Sequence, residues 1–382
     1  MKLERCELPA DADVWVLAGQ SNMAGSGFGE ACETPDPRVW LYTLQDQWKI
    51  AEEPFAGDRY EAVDEAFAIM RGEREKHRAD PNYRKQMAAT WRAAGSGLGL
   101  PFGKIMTAFT GKPVGLLFCA KGDTRMEEWT PDYDGPPDMA LYRATLRRIR
   151  KVGRPIKGIL WMQGESDSFG GKAQHYVARM KKLVADFRRD LNQPDLPFFY
   201  SQIATFALQT EEELPDWNLL QDLQRQLEPT LAPGGMCVSV DLPLCDWGHI
   251  ATGGLKRLGR RFATIVRRNL YGDTRLELGP RPVAVERDSS DARLLHVRYS
   301  SVNGTLFPKD RVAGFVVQWS GEERNRVCTA TVSSTRDATV TLICTHAVPA
   351  GSTVRYGKGL LPFCNLTDAA DMAAPVFGPW TV

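Results

Sequence analysis

The stretch Val14–Gly25, "VWVLAGQSNMAG", decides how the rest of the chain is read. Five apolar residues run without a break into Gly-Gln-Ser-Asn-Met. A strand with one face in water alternates polar and apolar residues; an unbroken apolar run suits a strand covered on both faces of a parallel sheet. Four more runs have this character: "VGLLFCA" (114–120), "GILWMQG" (158–164), "FFYSQIA" (198–204) and "MCVSVDL" (236–242). Helical patterns lie between or after them: "PFGKIMTAFT" (101–110), "MALYRATLRRIRKV" (139–152), "AQHYVARMKKLVADFRRDL" (173–191), "DWNLLQDLQRQL" (216–227) and "GGLKRLGRRFATIVRRNL" (253–270). Strand alternating with helix predicts a doubly wound α/β domain of about 270 residues. In such sheets ligands bind at the carboxyl ends of the strands, and "GQSNM", "KGDT" and "QGESD" all fall at those ends.

Beyond residue 272 the pattern changes. "LLHVRYS", "AGFVVQWS", "CTATVSS", "TVTLICT" and "TVRYGKG" are β-branched runs separated by Gly, Pro and Asp turns. They predict a small all-β domain over 273–382, with "YGDTRLELGPRP" as linker from a domain spanning 1–272. The charged, helix-prone segment 58–94 interrupts the passage from the first strand to the second. It reads as a helical insertion over the site or as a solvated excursion.

The bulk numbers exclude several classes. The chain has 382 residues, 43% hydrophobic and 25% charged, with a net charge of +1. That balance favours neither nucleic acid nor an anionic membrane surface as a partner. No apolar run approaches the roughly 20 residues a membrane span needs. The start, "MKLERCELPADAD", lacks the apolar core of a signal peptide, so the expectation is a cytoplasmic protein, or a periplasmic or secreted one if a leader was removed. The eight cysteines form no C-x-x-C pair, so free thiols and no metal site are expected. Oligomeric state is not readable.

Ser21 taken alone is a turn or cap residue. Its surroundings are not the G-x-S-x-G of a nucleophile elbow. The second half of the argument lies in "CDWGHIATGG". A serine nucleophile needs an imidazole to take its proton, and the imidazole needs a carboxylate to fix its tautomer. Asp246 and His249 stand three residues apart on a loop before a helix, where an aspartate oxygen can meet Nδ1 and leave Nε2 for the serine. Of the five histidines, His249 alone lies beside an acid at an expected strand end. Acyl transfer also needs oxyanion donors. The candidates are the N–H groups of Ser21 and Gly122 and the amide of Gln163. Gly122 read alone is a simple turn, and Gln163 a satisfied core amide.

The four blocks "LAGQSNMAG", "GDTRMEEW", "WMQGESD" and "DWGHIATGGLKRLG", in this order, resemble those of SGNH-type hydrolases of the sialate O-acetylesterase and family 6 carbohydrate acetylesterase branch. The segment 354–380 also resembles the C-terminal part of sialate O-acetylesterases. The resemblance implies a flavodoxin-like, three-layer domain with a central parallel sheet and a cofactor-free serine esterase removing O-acetyl groups from sialic acid or another glycan. It implies Ser21 as nucleophile, His249 as base, Asp246 as its acid, and Gly122 and Gln163 at the oxyanion, with Gln20, Asn22 and Glu165 in support. Glu165 is the alternative partner for His249. The family usually carries Gly-Gly-Thr where this chain has Gly122-Asp123-Thr124. The rival readings are a weakly catalytic sugar-binding protein on the same scaffold, with Tyr299, Trp319 and Tyr356 stacking on sugar, and an SGNH lipase or thioesterase.

Overall fold

The computed structural model describes residues 7–25, 27–28, 33–55, 62–68, 94–207 and 216–382. The centre is a seven-stranded sheet. In chain order its strands are Asp13–Gly19 (β1), Val39–Tyr42 (β3), Trp48–Ile50 (β4), Val114–Ala120 (β6), Gly158–Met162 (β7), Phe198–Ser201 (β8) and Gly234–Cys237 (β9). Gly27–Phe28 (β2) and Ala94–Ser96 (β5) form a separate two-stranded ribbon. The strand order is β4-β3-β6-β1-β7-β8-β9, parallel throughout except for β4 at one edge. β1 lies between β6 and β7, and its residues from Val14 on are all buried, as the unbroken apolar run requires.

The expected strands and helices are present, with differences at their ends. β6 coincides with its run, whereas the runs 158–164, 198–204 and 236–242 leave the sheet at Met162, Ser201 and Cys237. β3 and β4 were not expected; they extend the sheet beyond β6. Among the described residues the α-helices are the single turn Ser21–Ala24 (α1), then Gly99–Thr110 (α2), Leu141–Val152 (α3), Ala173–Asp190 (α4), Trp217–Leu227 (α5) and Thr252–Tyr271 (α6). Most of the expected 58–94 insertion lies outside the described residues; within it, Glu65–Phe67 forms a 3-10 turn. No helix among the described residues is long and apolar enough to cross a membrane.

The chain from Arg281 onward is antiparallel. One sheet runs β10 (Arg281–Arg287), β11 (Leu294–Ser300), β15 (Thr339–Cys344), β14 (Val327–Val332). A second runs β13 (Phe315–Gln318), β16 (Thr353–Tyr356), β18 (Phe377–Thr381), and β12 (Leu306–Phe307) pairs with β17 (Thr367–Asp368). Buried apolar side chains make one continuous cluster across both parts of the molecule. Polar contacts stitch the parts together as well. The buried Gln202 donates to Val376 O and accepts from Val376 N, at 3.1 and 2.9 Å, as a third strand would. Tyr299 and Tyr356 are buried in this cluster, and Arg326 covers the Trp319 ring at 4.0 Å. Tyr299 and Tyr356 therefore build core, while Trp319 is half-buried with a ring face taken by Arg326.

Candidate active site

Parallel pairing brings the site together. Gly19 is in register with Ala120 on one side and Met162 on the other, so Ser21, Gly122 and Gln163 all leave the sheet at one edge. Gly19 has φ +128°, and a Cβ there would lie 2.1 Å from Met162 O. Only glycine lets β1 turn against β7 so closely. The turn is closed by Gln20 N–H donating to Met162 O at 2.8 Å, and it presents Ser21 as the first residue of α1.

Asp246 and His249 meet as their spacing predicts. His249 Nδ1 lies 2.7 Å from Asp246 Oδ2. Asp246 Oδ1 accepts from the N–H groups of Gly248 and His249 at 2.9 and 2.8 Å, which folds the loop into a tight turn. Burial pushes the Asp246 carboxyl up, but the Gly248 N–H and the two contacts with His249 outweigh it and hold the group below the usual carboxylate range. A carboxylate at Nδ1 puts the proton there and leaves Nε2 as the acceptor.

Asn22 joins this loop to the serine. Its Oδ1 accepts from Ile250 N–H at 3.0 Å, from a residue 228 positions away in sequence. Its Nδ2 donates to Glu165 Oε1 at 2.8 Å and to Gly248 O at 3.3 Å. Glu165 is thus engaged by Asn22, while Asp246 holds the His249 ring. Burial raises the Glu165 carboxyl above the ordinary range, offset only in part by the Asn22 bond. Gln20 is buried and its Oε1 accepts from Gly164 N–H at 3.4 Å, bracing the same turn.

Gly122 stands against the serine: a Cβ on it would lie 3.5 Å from Ser21 Cβ. The next residue, Asp123, has φ +56°, a region that glycine adopts freely and aspartate more readily than most residues. This is how the loop accepts an aspartate in a conformation that glycine would adopt freely. Gln163 differs from its expected role. Its Nε2 donates to Thr124 O at 2.9 Å and to Asp167 Oδ2 at 2.6 Å, so both amide hydrogens are spent inside the fold. In this structure Gln163 braces the Gly122 loop and does not aim a donor at an oxyanion. Asp167 is its buried counterpart, accepting also from Met126 N–H at 3.0 Å, and burial raises its carboxyl. Asp167 stands in the quoted "QGESD" block, but only folding shows that it meets Gln163. Trp129 and Trp161 are buried and packed edge to face at 4.8 Å; Trp129 Nε1 supports Thr124 Oγ1 from below at 3.2 Å. Neither lines an open pocket. Arg125 is exposed beside this loop.

A parallel sheet that gathers a serine, an Asp-paired histidine and a glycine loop at one edge has the layout of an ester hydrolase. The sequence is specific about which kind. Residues 11–268 match the family model described as carbohydrate esterase, sialic acid-specific acetylesterase, and the chain belongs to that family. It is therefore a carboxylic ester hydrolase of the carbohydrate acetylesterase type. A probable carbohydrate esterase of Arabidopsis thaliana is 27% identical over 215 residues, covering 50% of this chain and 69% of that protein. The crystal structure of a carbohydrate acetylesterase from Xanthomonas citri is similar with a TM-score of 0.69 at 20% identity, over 96% of this chain and 81% of that one. A crystal structure from Arabidopsis thaliana has a TM-score of 0.51 at 23% identity, over 68% of this chain and 98% of that one. The two structural likenesses speak for the fold.

Proposed function

We propose that the protein is a serine esterase that removes O-acetyl groups from sialic acid or another acetylated glycan through an acetyl-enzyme. Ser21 Oγ attacks the acetyl carbonyl carbon as its proton passes to His249 Nε2. Asp246 fixes the ring tautomer and stabilises the imidazolium. The tetrahedral oxyanion sits against the N–H groups of Ser21 and Gly122, with Gln163 holding the Gly122 loop through Thr124 O. The bond to the sugar oxygen breaks and His249 returns the proton to that oxygen. Water then attacks the acetyl-enzyme by the same route, giving acetate and free Ser21. In this reading residues 1–272 form a three-layer, flavodoxin-like esterase unit and residues 273–382 a small all-β unit. The change from parallel to antiparallel pairing after β9 supports that division.

The observation that carries the proposal is Asn22, which ties the serine's own turn to the loop on which Asp246 grips His249. Acetate release from O-acetylated sugars tests it. Ser21→Ala should lower kcat at least about a thousandfold. A Ser21→Ala protein that kept the wild-type rate would refute the nucleophile assignment.

A further inference from the structure

We propose that Trp247 is the stacking platform for the sugar ring that leaves, an inference resting on the esterase reading above. Single exposed apolar residues are common and mean little by themselves. Trp247 differs in how it is held and where it stands. It is 46% exposed, yet its backbone lies within the turn between Asp246 and His249, and its carbonyl accepts from Ala207 N–H at 2.7 Å. Its ring meets the edge of Phe206 at 5.2 Å and 71°. Phe206 is in turn packed on the buried Trp217 at 5.0 Å, and its N–H donates to Leu360 O at 2.8 Å. Gly248 makes room for this buttress, because a Cβ there would lie 2.7 Å from the Phe206 ring. The indole is thus rigidly supported from below and open to water above.

Its other neighbour is the imidazole, whose centroid is 5.2 Å away. In the reaction above, the ester oxygen of the sugar must approach His249 to receive the proton. The ring bearing that oxygen then lies beside the imidazole, over Trp247. A pyranose presents a face of C–H bonds that suits the electron-rich face of an indole. A preformed aromatic wall next to a few polar groups is how small-ligand sites gain orientation.

The test compares two esters, an O-acetylated methyl xylopyranoside and ethyl acetate, which has no ring to stack. Trp247→Ala should lower the ratio of kcat/KM on the pyranoside to that on ethyl acetate by about tenfold, mainly through KM. Trp247→Phe should restore most of the ratio. A ratio unchanged in Trp247→Ala, or an equal loss on both esters, would overturn the platform. Calorimetric titration of Ser21→Ala protein with the pyranoside separates the two readings. If the wild type cleaves neither ester, the esterase reading fails, and the titration alone decides the platform. Binding weakened about tenfold by adding Trp247→Ala supports it; unchanged or undetectable binding overturns it.

Discussion

Glu165 is a carboxyl group with one oxygen on Asn22 and the other, Oε2, buried with no hydrogen-bond partner among the described residues. Burial is the largest influence on it and raises its pKa. The folded protein therefore holds this proton to a higher pH than the unfolded chain does. As pH rises through the ordinary carboxylate range to the raised value, folding must pay to keep an ionised group in that place, and stability is lost. Glu165→Gln retains an acceptor for Asn22 and never ionises. The expected outcome is a melting-temperature advantage of Glu165→Gln over wild type that widens between pH 4 and pH 8. An advantage that shrinks over that range would contradict the assignment. Asp246 behaves in the opposite sense: its carboxyl lies below the usual range, so its contribution is present above that range and fades only in stronger acid.

Among the elements, β1 and its turn carry the strictest geometric demand. Gly19→Ala would set a Cβ 2.1 Å from Met162 O, at a φ of +128° that side chains rarely adopt, and would displace the Gln20–Met162 hydrogen bond. We expect a loss of about 3 kcal/mol or more in urea unfolding, because backbone strain and a broken buried hydrogen bond add. A loss below about 1 kcal/mol would mean that the turn can relax. The same element shows what the sequence makes legible. β1 and β6 are readable because burial on both faces writes an unbroken apolar run. The Asp246–His249 pair is readable because it is local, closed within one turn. β3 and β4 are not, since "VWLY" and "WKI" are too short to carry a period. The ends of β8 and β9 are missed because the apolar runs continue into buried loops. Gln202, just past β8, is spent on Val376, a pairing made only by the folded chain. The partners of Gln163 are hidden for the same reason: Thr124 O, 39 residues back in the chain, reaches its amide only once β6 and β7 lie to either side of β1 in the sheet.

In the whole molecule, the antiparallel strands are joined to the loop that carries the histidine. Asp241 lies between β9 and Asp246, and its two oxygens accept from Arg261 Nη1 and Nη2, each at 2.7 Å. Arg261 is only 1% exposed, and its Nη1 also donates to Val238 O at 2.8 Å. Arg257 bridges Asp241 to Asp371, which belongs to the segment between β17 and β18. One cluster, buried at Arg261 and Asp241 and open to solvent at Asp371, thus ties α6, the approach to Asp246 and the C-terminal strands together. Removing one member of a buried ion pair strands the other without water or partner. Asp241→Ala should therefore cost about 3–5 kcal/mol of stability. The network also links the two parts of the chain, so wild type and variant should each unfold in a single calorimetric transition. Two separated transitions in the wild type would show the C-terminal strands to be an independent attachment. A single transition lowered by Asp241→Ala would instead mean that the C-terminal strands and the sheet that carries Ser21 unfold as one cooperative unit.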